Sequence, residues 1–146
     1  MVLFDGQTGK GQLNKELSGG FGNISTDYGT SITYSNTAIT MKTVGQDTQG
    51  CYAPIASSHL AIDLTQYDKL RMHVSNFVIT PNTSKPMLRV SKEKNYYNNT
   101  TTRSTNINEK GWQELDVSDL QGTYYILFGG SVNTNFTCYI DYILLK

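Results

Sequence analysis

The stretch Lys69-Leu70-Arg71-Met72-His73-Val74-Ser75 alternates polar and apolar side chains at every position. Successive side chains of a β-strand point to opposite faces, so Leu70, Met72 and Val74 share one face and the polar residues share the other. This period of two predicts a half-buried strand, with one face on a hydrophobic core and the other in solvent.

Further strands are predicted on both sides of this stretch. The same alternation recurs at 88–91 and 114–117, and less regular strands are predicted at 31–35, 38–44 and 50–55. The segments 123–129 and 138–145 are apolar on both faces, which is typical of central strands. Turn clusters rich in Gly, Asn and Pro separate these segments, and long helical periodicity is absent. The pattern indicates an all-β sandwich or barrel.

Two segments with one shared pattern predict how the chain moves between sheets. The segments 62–68 (IDLTQYD) and 115–121 (LDVSDLQ) both carry an apolar-Asp-apolar strand end followed by Thr or Ser. An acidic or amide side chain comes three residues later, which is the spacing of a capping box. The predicted pairs are Thr65 with Asp68, and Ser118 with Gln121. Each should start one short helical turn that carries the chain from one sheet to the other.

Bulk properties exclude several classes of protein. The length of 146 residues predicts one domain, residues 1–146, folded as a single β-sandwich binding domain. The formal net charge of zero argues against nucleic-acid binding, which usually needs a basic excess. No targeting segment is visible, and no stretch approaches the ~20 apolar residues of a membrane helix, so we expect no membrane insertion.

Residue patterns typical of catalysis are also absent. The sequence has no Gly-x-Ser-x-Gly elbow, no phosphate-binding loop and no His-Glu-x-x-His motif. His59 and His73 lack metal-ligand spacing. Glu114 and Asp116 share a strand face and could form a carboxylate pair for glycoside cleavage, but a solvated strand face is favoured. The sequence predicts a protein that is not an enzyme.

The two cysteines, Cys51 and Cys138, leave two interpretations open. They could form a disulfide in an oxidising compartment. Alternatively they are two buried free thiols that pack as small hydrophobic groups, and we favour this interpretation.

Four segments resemble galactose-binding-like jelly-roll domains, a superfamily that includes many carbohydrate-binding modules. These segments are 62–74, 111–118, 122–128 and 139–143. Two further segments, Leu3-Phe4-Asp5-Gly6 at the start of the chain and Ser18-Gly19-Gly20-Phe21 later, are similar to the galactose-binding-like domains found in tail-associated proteins of phages and prophages of Gram-positive bacteria. The resemblance implies a two-sheet antiparallel jelly-roll β-sandwich with one or two short helical turns. It also implies lectin-like recognition at a cell surface, and an extracellular or virion-associated location.

The resemblance raises one question about metals. Many modules of this fold bind calcium through a carboxylate on the last strand, where this chain has Asp141, and Asp5 could lie near it. Calcium prefers 6 to 8 oxygen ligands, and the sequence does not supply an evident full set. We therefore expect Asp141 to hydrogen-bond to a neighbouring loop and predict no cofactor, with a structural calcium ion left as an alternative.

Two surfaces are candidates for a glycan, because sugars bind to aromatic faces and polar side chains. The first is the outward face of one sheet, predicted to carry Arg71, His73, Arg89 and Tyr125. The second is the loop 95–103, with its adjacent residues Tyr96 and Tyr97. Trp112, the one tryptophan in the chain, could be core or platform, and the core is the more common place.

A local charge excess suggests what kind of glycan. Residues 85–110 hold six basic and two acidic side chains, a local charge of +4 in a neutral chain. We hypothesise that this region meets an anionic cell-wall polymer.

Together these observations predict a non-catalytic carbohydrate-binding module for a cell-surface or cell-wall glycan. The alternative is a structural or assembly domain of a phage tail or secreted protein with no glycan ligand, which could form a homo-oligomer through a parent protein. A small polysaccharide-cleaving enzyme is the weakest alternative.

Overall fold

The computed structural model describes residues 1–11, 14, 24–25, 30–35, 37–44, 51–54, 61–92, 101–130 and 135–146. Within these ranges the chain forms twelve β-strands: β1 (Val2–Asp5), β2 (Ile24–Ser25), β3 (Thr30–Tyr34), β4 (Ile39–Val44), β5 (Cys51–Pro54), β6 (Ala61–Asp63), β7 (Lys69–Ile79), β8 (Pro86–Ser91), β9 (Thr101–Asn106), β10 (Gly111–Asp116), β11 (Thr123–Gly130) and β12 (Asn135–Leu145). The same ranges contain no helix with the length and hydrophobicity that a membrane crossing requires.

The strands form two antiparallel sheets. The seven-stranded sheet has the order β10-β7-β12-β4-β3-β2, and β1 continues the edge of β12 where β4 ends. The five-stranded sheet has the order β5-β11-β8-β9, and β6 also pairs with β11. The predicted two-sheet sandwich is therefore confirmed, and the two segments predicted as central, now β11 and β12, each have strands on both sides. The jelly-roll connectivity implied by the resemblance is not confirmed.

A single apolar layer lies between the sheets. Leu70, Met72 and Val74 of β7 are at most 1% exposed, as the alternation predicts. From the other sheet β11 contributes Phe128, whose ring lies 5.3 Å from that of Phe136 on β12, edge to face. This layer fixes the inner faces, and so decides which side chains of β7, β10 and β12 point outward.

The prediction that Arg71 and His73 share an outward face with Arg89 is wrong, because β7 and β8 belong to different sheets. The half-buried pattern predicted for β8 is wrong as well: Arg89 is 1% exposed and Ser91 is fully buried. Alternation separates the two faces of a strand, but it does not show what covers the outer face.

The two segments with the shared pattern do cross between the sheets, in opposite directions. One runs from β6 in the five-stranded sheet to β7, and the other from β10 in the seven-stranded sheet to β11. The crossing prediction is confirmed, but the helical turns are wrong: the structure has tight turns in which the Tyr67 amide donates to the Leu64 carbonyl, and the Leu120 amide to the Val117 carbonyl.

The capping boxes are wrong for a related reason. The side chain that bonds to each hydroxyl residue precedes it in the chain. Oδ1 of Asp63 accepts from the backbone N and Oγ1 of Thr65 at 2.9 and 2.5 Å. Oδ1 of Asp116 accepts from the backbone N and Oγ of Ser118 at 3.0 and 2.7 Å. The aspartate that ends the strand therefore starts the turn.

The two crossing turns are also hydrogen-bonded to each other: an amide at the start of each turn donates to a carbonyl just after the end of the other turn. The Leu64 amide donates to the Gly122 carbonyl at 3.0 Å, and the Val117 amide donates to the Asp68 carbonyl at 2.9 Å. The Gly122 amide donates in return to Oγ1 of Thr65 at 2.8 Å. These bonds fix one end of the sandwich and hold β7 beside β10 in a single register along their length.

Cys138 rules out one of the two cysteine interpretations and confirms the other for itself, while the Cys51 side chain lies outside the described residues. Cys138 is a free thiol, fully buried in the core, so the disulfide with Cys51 is not formed. Burial raises the pKa of this thiol, because the thiolate would be desolvated.

Candidate functional site

The outer face of β10, β7 and β12 brings three aromatic rings into one row. Trp112 of β10 is the register partner of His73 on β7, and His73 is in turn the partner of Tyr142 on β12. Directly paired residues of adjacent strands lie about 5 Å apart, close enough for their side chains to touch. The row is therefore a product of strand register.

The rings of this row contact one another. The centroid of Trp112 lies 5.1 Å from that of His73 and 6.0 Å from that of Tyr142, in tilted and edge-on arrangements. The guanidinium carbon of Arg71 lies 4.5 Å from the Trp112 ring centroid, which is a cation–π contact. Trp112 is nevertheless 45% exposed, so the interpretation of this residue as core is wrong.

His73 is held by a carboxylate. Its Nδ1 lies 2.5 Å from Oδ1 of Asp141, and both side chains are about one-third exposed, at 32% and 30%. A bond this short fixes the rotation of the imidazole and turns its other nitrogen, Nε2, away from Asp141.

A bulge in β12 places Asp141 on this face. Pairing with β7 slips between Ile140 and Tyr142, so Asp141 has no register partner. Asp141 and Tyr142 are both part-exposed, between the buried residues Ile140 and Ile143. Bulges commonly redirect a side chain, and here two consecutive residues share the outer face.

Gly6 supports the bulge from the edge. Its amide donates to the Asp141 carbonyl at 2.8 Å, at the point where β1 replaces β4 beside β12. A Cβ on Gly6 would lie 2.1 Å from the Thr37 carbonyl oxygen and 3.0 Å from that of Asp141. Only glycine allows the backbone to pass this closely.

These groups surround an open depression of about 280 Å³, which we call the aromatic cleft; it is lined by Gln7, His73, Trp112, Asp141 and Tyr142. Within the described part of the chain, no hydrogen bond reaches Nε2 of His73, Oδ2 of Asp141 or the side-chain amide of Gln7. The cleft thus combines an exposed indole with polar atoms that have bonding capacity left.

The other end of the same face is a cluster of compensated charges, which we call the ion-pair cluster: Lys69, Arg71, Glu114 and Asp116. Nζ of Lys69 lies 3.2 Å from Oε1 of Glu114 and 3.5 Å from Oδ2 of Asp116. Nε of Arg71 lies 3.2 Å from Oε2 of Glu114, an ion pair without the alignment of a hydrogen bond. Opposite charges thus satisfy one another here.

The pKa values in this cluster follow from its contacts. Hydrogen bonds from the Ser118 hydroxyl and amide, with help from Lys69, lower the pKa of Asp116 to about 2. The hydrogen bond to Glu114 raises the pKa of Lys69. Glu114 and Asp116, considered above as a carboxylate pair for glycoside cleavage, are thus both bound by the same lysine.

The predicted ligand residues separate into three groups. Arg71 and His73 lie together on the outer face of β10, β7 and β12. Arg89 is buried in the other sheet, and Tyr125 is part-buried on the outer face of that sheet, on the opposite side of the sandwich. Tyr96 and Tyr97 lie outside the described residues.

Sequence reasoning missed Gln7 and Tyr142, left Trp112 undecided, and considered Asp141 as a calcium ligand or as a hydrogen-bond partner of a neighbouring loop, not as the partner of His73. A signal for Trp112 was available, because Leu115 faces inward and strand alternation then places Trp112 outward. The bulge hid Tyr142, since alternation from Ile140 would have turned that side chain into the core.

The carboxylates predicted to approach calcium have other partners. Asp5 accepts hydrogen bonds from the Gln7 amide and from the amide and hydroxyl of Thr8, and the Thr8 bonds lower its pKa. Asp141 bonds to His73. Among the described residues no group of three or more His, Cys, Asp or Glu side chains is placed to hold a metal ion, and calcium stays a prediction.

The local basic excess between residues 85 and 110 is partly used inside the domain. Nζ of Lys92 donates to the Gln121 carbonyl at 2.9 Å and lies 3.9 Å from the Tyr124 ring centroid. Arg103 makes a two-pronged ion pair with Asp119, at 2.5 and 2.9 Å. These cations brace the turns, which leaves less charge for an anionic polymer than the sequence suggests.

Comparison of the chain with protein-family models, curated proteins and solved structures gives no match. The resemblance to galactose-binding-like domains therefore stays an interpretation of the sequence.

Proposed function

We propose that this domain binds a carbohydrate, without catalysis, in the aromatic cleft. The observation that carries the proposal is the exposed Trp112 ring, which lies beside polar atoms of His73, Asp141 and Gln7 that have no hydrogen-bond partner in the described part of the chain.

The chemistry of sugars fits these features. A pyranose ring has apolar C–H faces that pack on an indole, and hydroxyl groups around its rim that need donors and acceptors. Arg71 and His73 contact the Trp112 ring and stiffen it, so little side-chain freedom is lost on binding. The open shape suits a sugar that belongs to a longer chain.

The choice among glycans rests on the sequence. The resemblance to galactose-binding-like domains of phage and prophage tail proteins supports a cell-surface or cell-wall glycan as the ligand. It likewise supports a jelly-roll connectivity and an extracellular or virion-associated location.

Trp112 offers a direct test, because the chain contains one tryptophan and its indole reports only on the cleft. Soluble cell-wall polysaccharide fragments from Gram-positive bacteria are titrated into the protein, and the indole N–H resonance and the fluorescence are followed. We expect saturable shifts with millimolar to micromolar affinity. Asp68→Asn, at an exposed side chain that does not line the cleft, is the matched control and should bind normally.

Two results would contradict the proposal. One is an indole signal that stays constant across the polysaccharides and simple methyl glycosides. The other is calorimetric binding that is as tight in Trp112→Ala as in the unchanged protein, which would place the ligand elsewhere. Sedimentation of the free domain adds a separate check, since self-association through this face would favour an assembly role.

A further inference from the structure

The bond between His73 and Asp141 determines what the imidazole offers to a ligand. An ionised carboxylate can only accept hydrogen bonds, so Nδ1 of His73 carries the proton in their 2.5 Å contact. In a neutral imidazole the second nitrogen then has a lone pair and no proton. When the imidazole is neutral, Nε2 of His73 is therefore an acceptor.

Asp141 supplies a second acceptor in the same cleft. Its Oδ1 bonds to His73, while Oδ2 has no hydrogen bond from the described residues, and both side chains line the aromatic cleft. The cation nearest to Trp112, Arg71, is ion-paired with Glu114. With a neutral imidazole and an ionised carboxylate, the polar wall of the cleft formed by His73 and Asp141 presents two acceptors and carries a negative charge.

We propose that this pair of acceptors selects a neutral sugar with two free hydroxyl groups, one donating to Nε2 of His73 and the other to Oδ2 of Asp141. This inference rests on the proposed function. It names the chemical group that the cleft reads, while the Trp112 ring packs against the sugar without distinguishing among hydroxyl patterns.

The same arrangement predicts which sugars are rejected. A methyl ether or a deoxy position at either hydroxyl removes a donor and leaves a protein acceptor unpaired. A carboxylate or phosphate at that position would bring a second negative charge against Asp141. A charged cell-wall polymer would therefore be bound through an unmodified sugar and not through its phosphate groups.

Asp141→Asn gives a sharp test, because the asparagine oxygen can still accept from Nδ1 of His73 while its NH₂ group replaces Oδ2. The second position of the pair then becomes a donor. Methyl glycosides of glucose, galactose, mannose and N-acetylglucosamine are titrated against the Trp112 indole resonance. For each sugar that binds, its 3-O-methyl and 4-O-methyl ethers are compared. Asp68→Asn is the control, with the same change of carboxylate to amide at an exposed side chain that does not line the aromatic cleft.

We expect at least one ether of each bound sugar, including the one at the hydroxyl that meets Asp141, to bind about 10-fold to 100-fold more weakly to the unchanged protein. Asp141→Asn should lose a similar factor for the free sugar and regain part of its affinity for that ether, whose oxygen can accept from the new amide. Asp68→Asn should behave like the unchanged protein.

The outcomes separate this inference from the proposed function. Sugars that bind equally well with and without the ethers, or equally well to Asp141→Asn, would overturn the diol inference and leave sugar binding intact. A thermal melt of Asp141→Asn shows whether that variant is folded, and the ether series in the unchanged protein tests the inference without any substitution. An indole signal unmoved by every glycoside and polysaccharide would overturn both.

Discussion

The aromatic cleft and the ion-pair cluster lie on the same outer face, at opposite ends of the register that joins β7 to β10. In the cluster, Lys69 and Arg71 face Glu114 and Asp116, and each charge has an opposite charge within 3.5 Å. In the cleft, His73 and Asp141 bond to each other and still have polar atoms without protein partners. Exposed charge alone therefore does not mark a binding site. Bonding capacity that the fold leaves unused is the better indicator.

The largest effect that separates the two ends is expected from Trp112→Ala. Removing a central aromatic group from a binding surface typically weakens binding about 30-fold or more. The melting temperature should change little, because Trp112 is 45% exposed. Calorimetric titration with the best polysaccharide and a thermal melt measure the two quantities. A large drop in melting temperature would mean that Trp112 stabilises the fold instead.

The next largest effect is expected from Gly6→Ala, which disturbs the cleft through the backbone. The new Cβ would lie 2.1 Å from the Thr37 carbonyl oxygen, so β1 or the bulge must shift. We expect a loss of about 1–3 kcal/mol in the free energy of unfolding. We also expect weaker glycan binding, because Asp141 moves. Denaturant unfolding and titration with glycan measure the two quantities. Unchanged values would show that the backbone around Gly6 can make room for a Cβ without loss of stability or of binding.

A smaller effect, confined to stability, is expected from acid at the ion-pair cluster. The folded pKa of Asp116, about 2, lies below its ordinary value of 3.8. Its contribution to stability is therefore complete above pH 4 and is lost as the pH falls towards 2. Asp116→Asn should melt at a lower temperature than the unchanged protein at pH 7, and the difference should shrink near pH 2. A difference that is constant with pH would contradict this reasoning.

The smallest effect is expected from Lys69→Gln, which leaves the ion pair between Glu114 and Arg71 in place. The side chains of Lys69 and Glu114 are 36% and 45% exposed, and ion pairs at the surface contribute little net stability. The melting temperature and the glycan affinity should both stay close to those of the unchanged protein. A clear loss of affinity would show that the ligand extends from the cleft across the cluster.

The sequence predicted the sandwich because its evidence is local. Leu70, Met72 and Val74 report their own burial through alternation, and the doubly apolar segments 123–129 and 138–145 identify central strands. Crossing between the sheets was likewise readable from the repeated apolar-Asp-apolar pattern. Its turn chemistry was assigned to the wrong neighbour, because aspartate and the residue three positions after the hydroxyl are both plausible partners.

The site was only partly predictable because it depends on pairing between distant strands. Arg71 and His73 were placed on the correct face, but nothing local shows that Trp112, rather than Arg89, lies beside them. Asp141 reaches the face through a bulge that arises where β1 replaces β4, more than a hundred residues away in sequence. Strand order and bulges are properties of the assembled sheet.

The reciprocal bonding of the two crossing turns has a consequence for how the chain folds. The Gly122 amide and Oγ1 of Thr65 are 57 residues apart in sequence. The amides of Leu64 and Val117 have no partner in their own turn, and each is bonded only once the other segment is in place. Closing so long a loop costs conformational entropy before the contacts that offset it have formed, so we expect the pairing of these two turns to limit the folding rate. The amides of Leu64 and Val117 should then exchange with solvent deuterium at one common rate, as members of one cooperative unit.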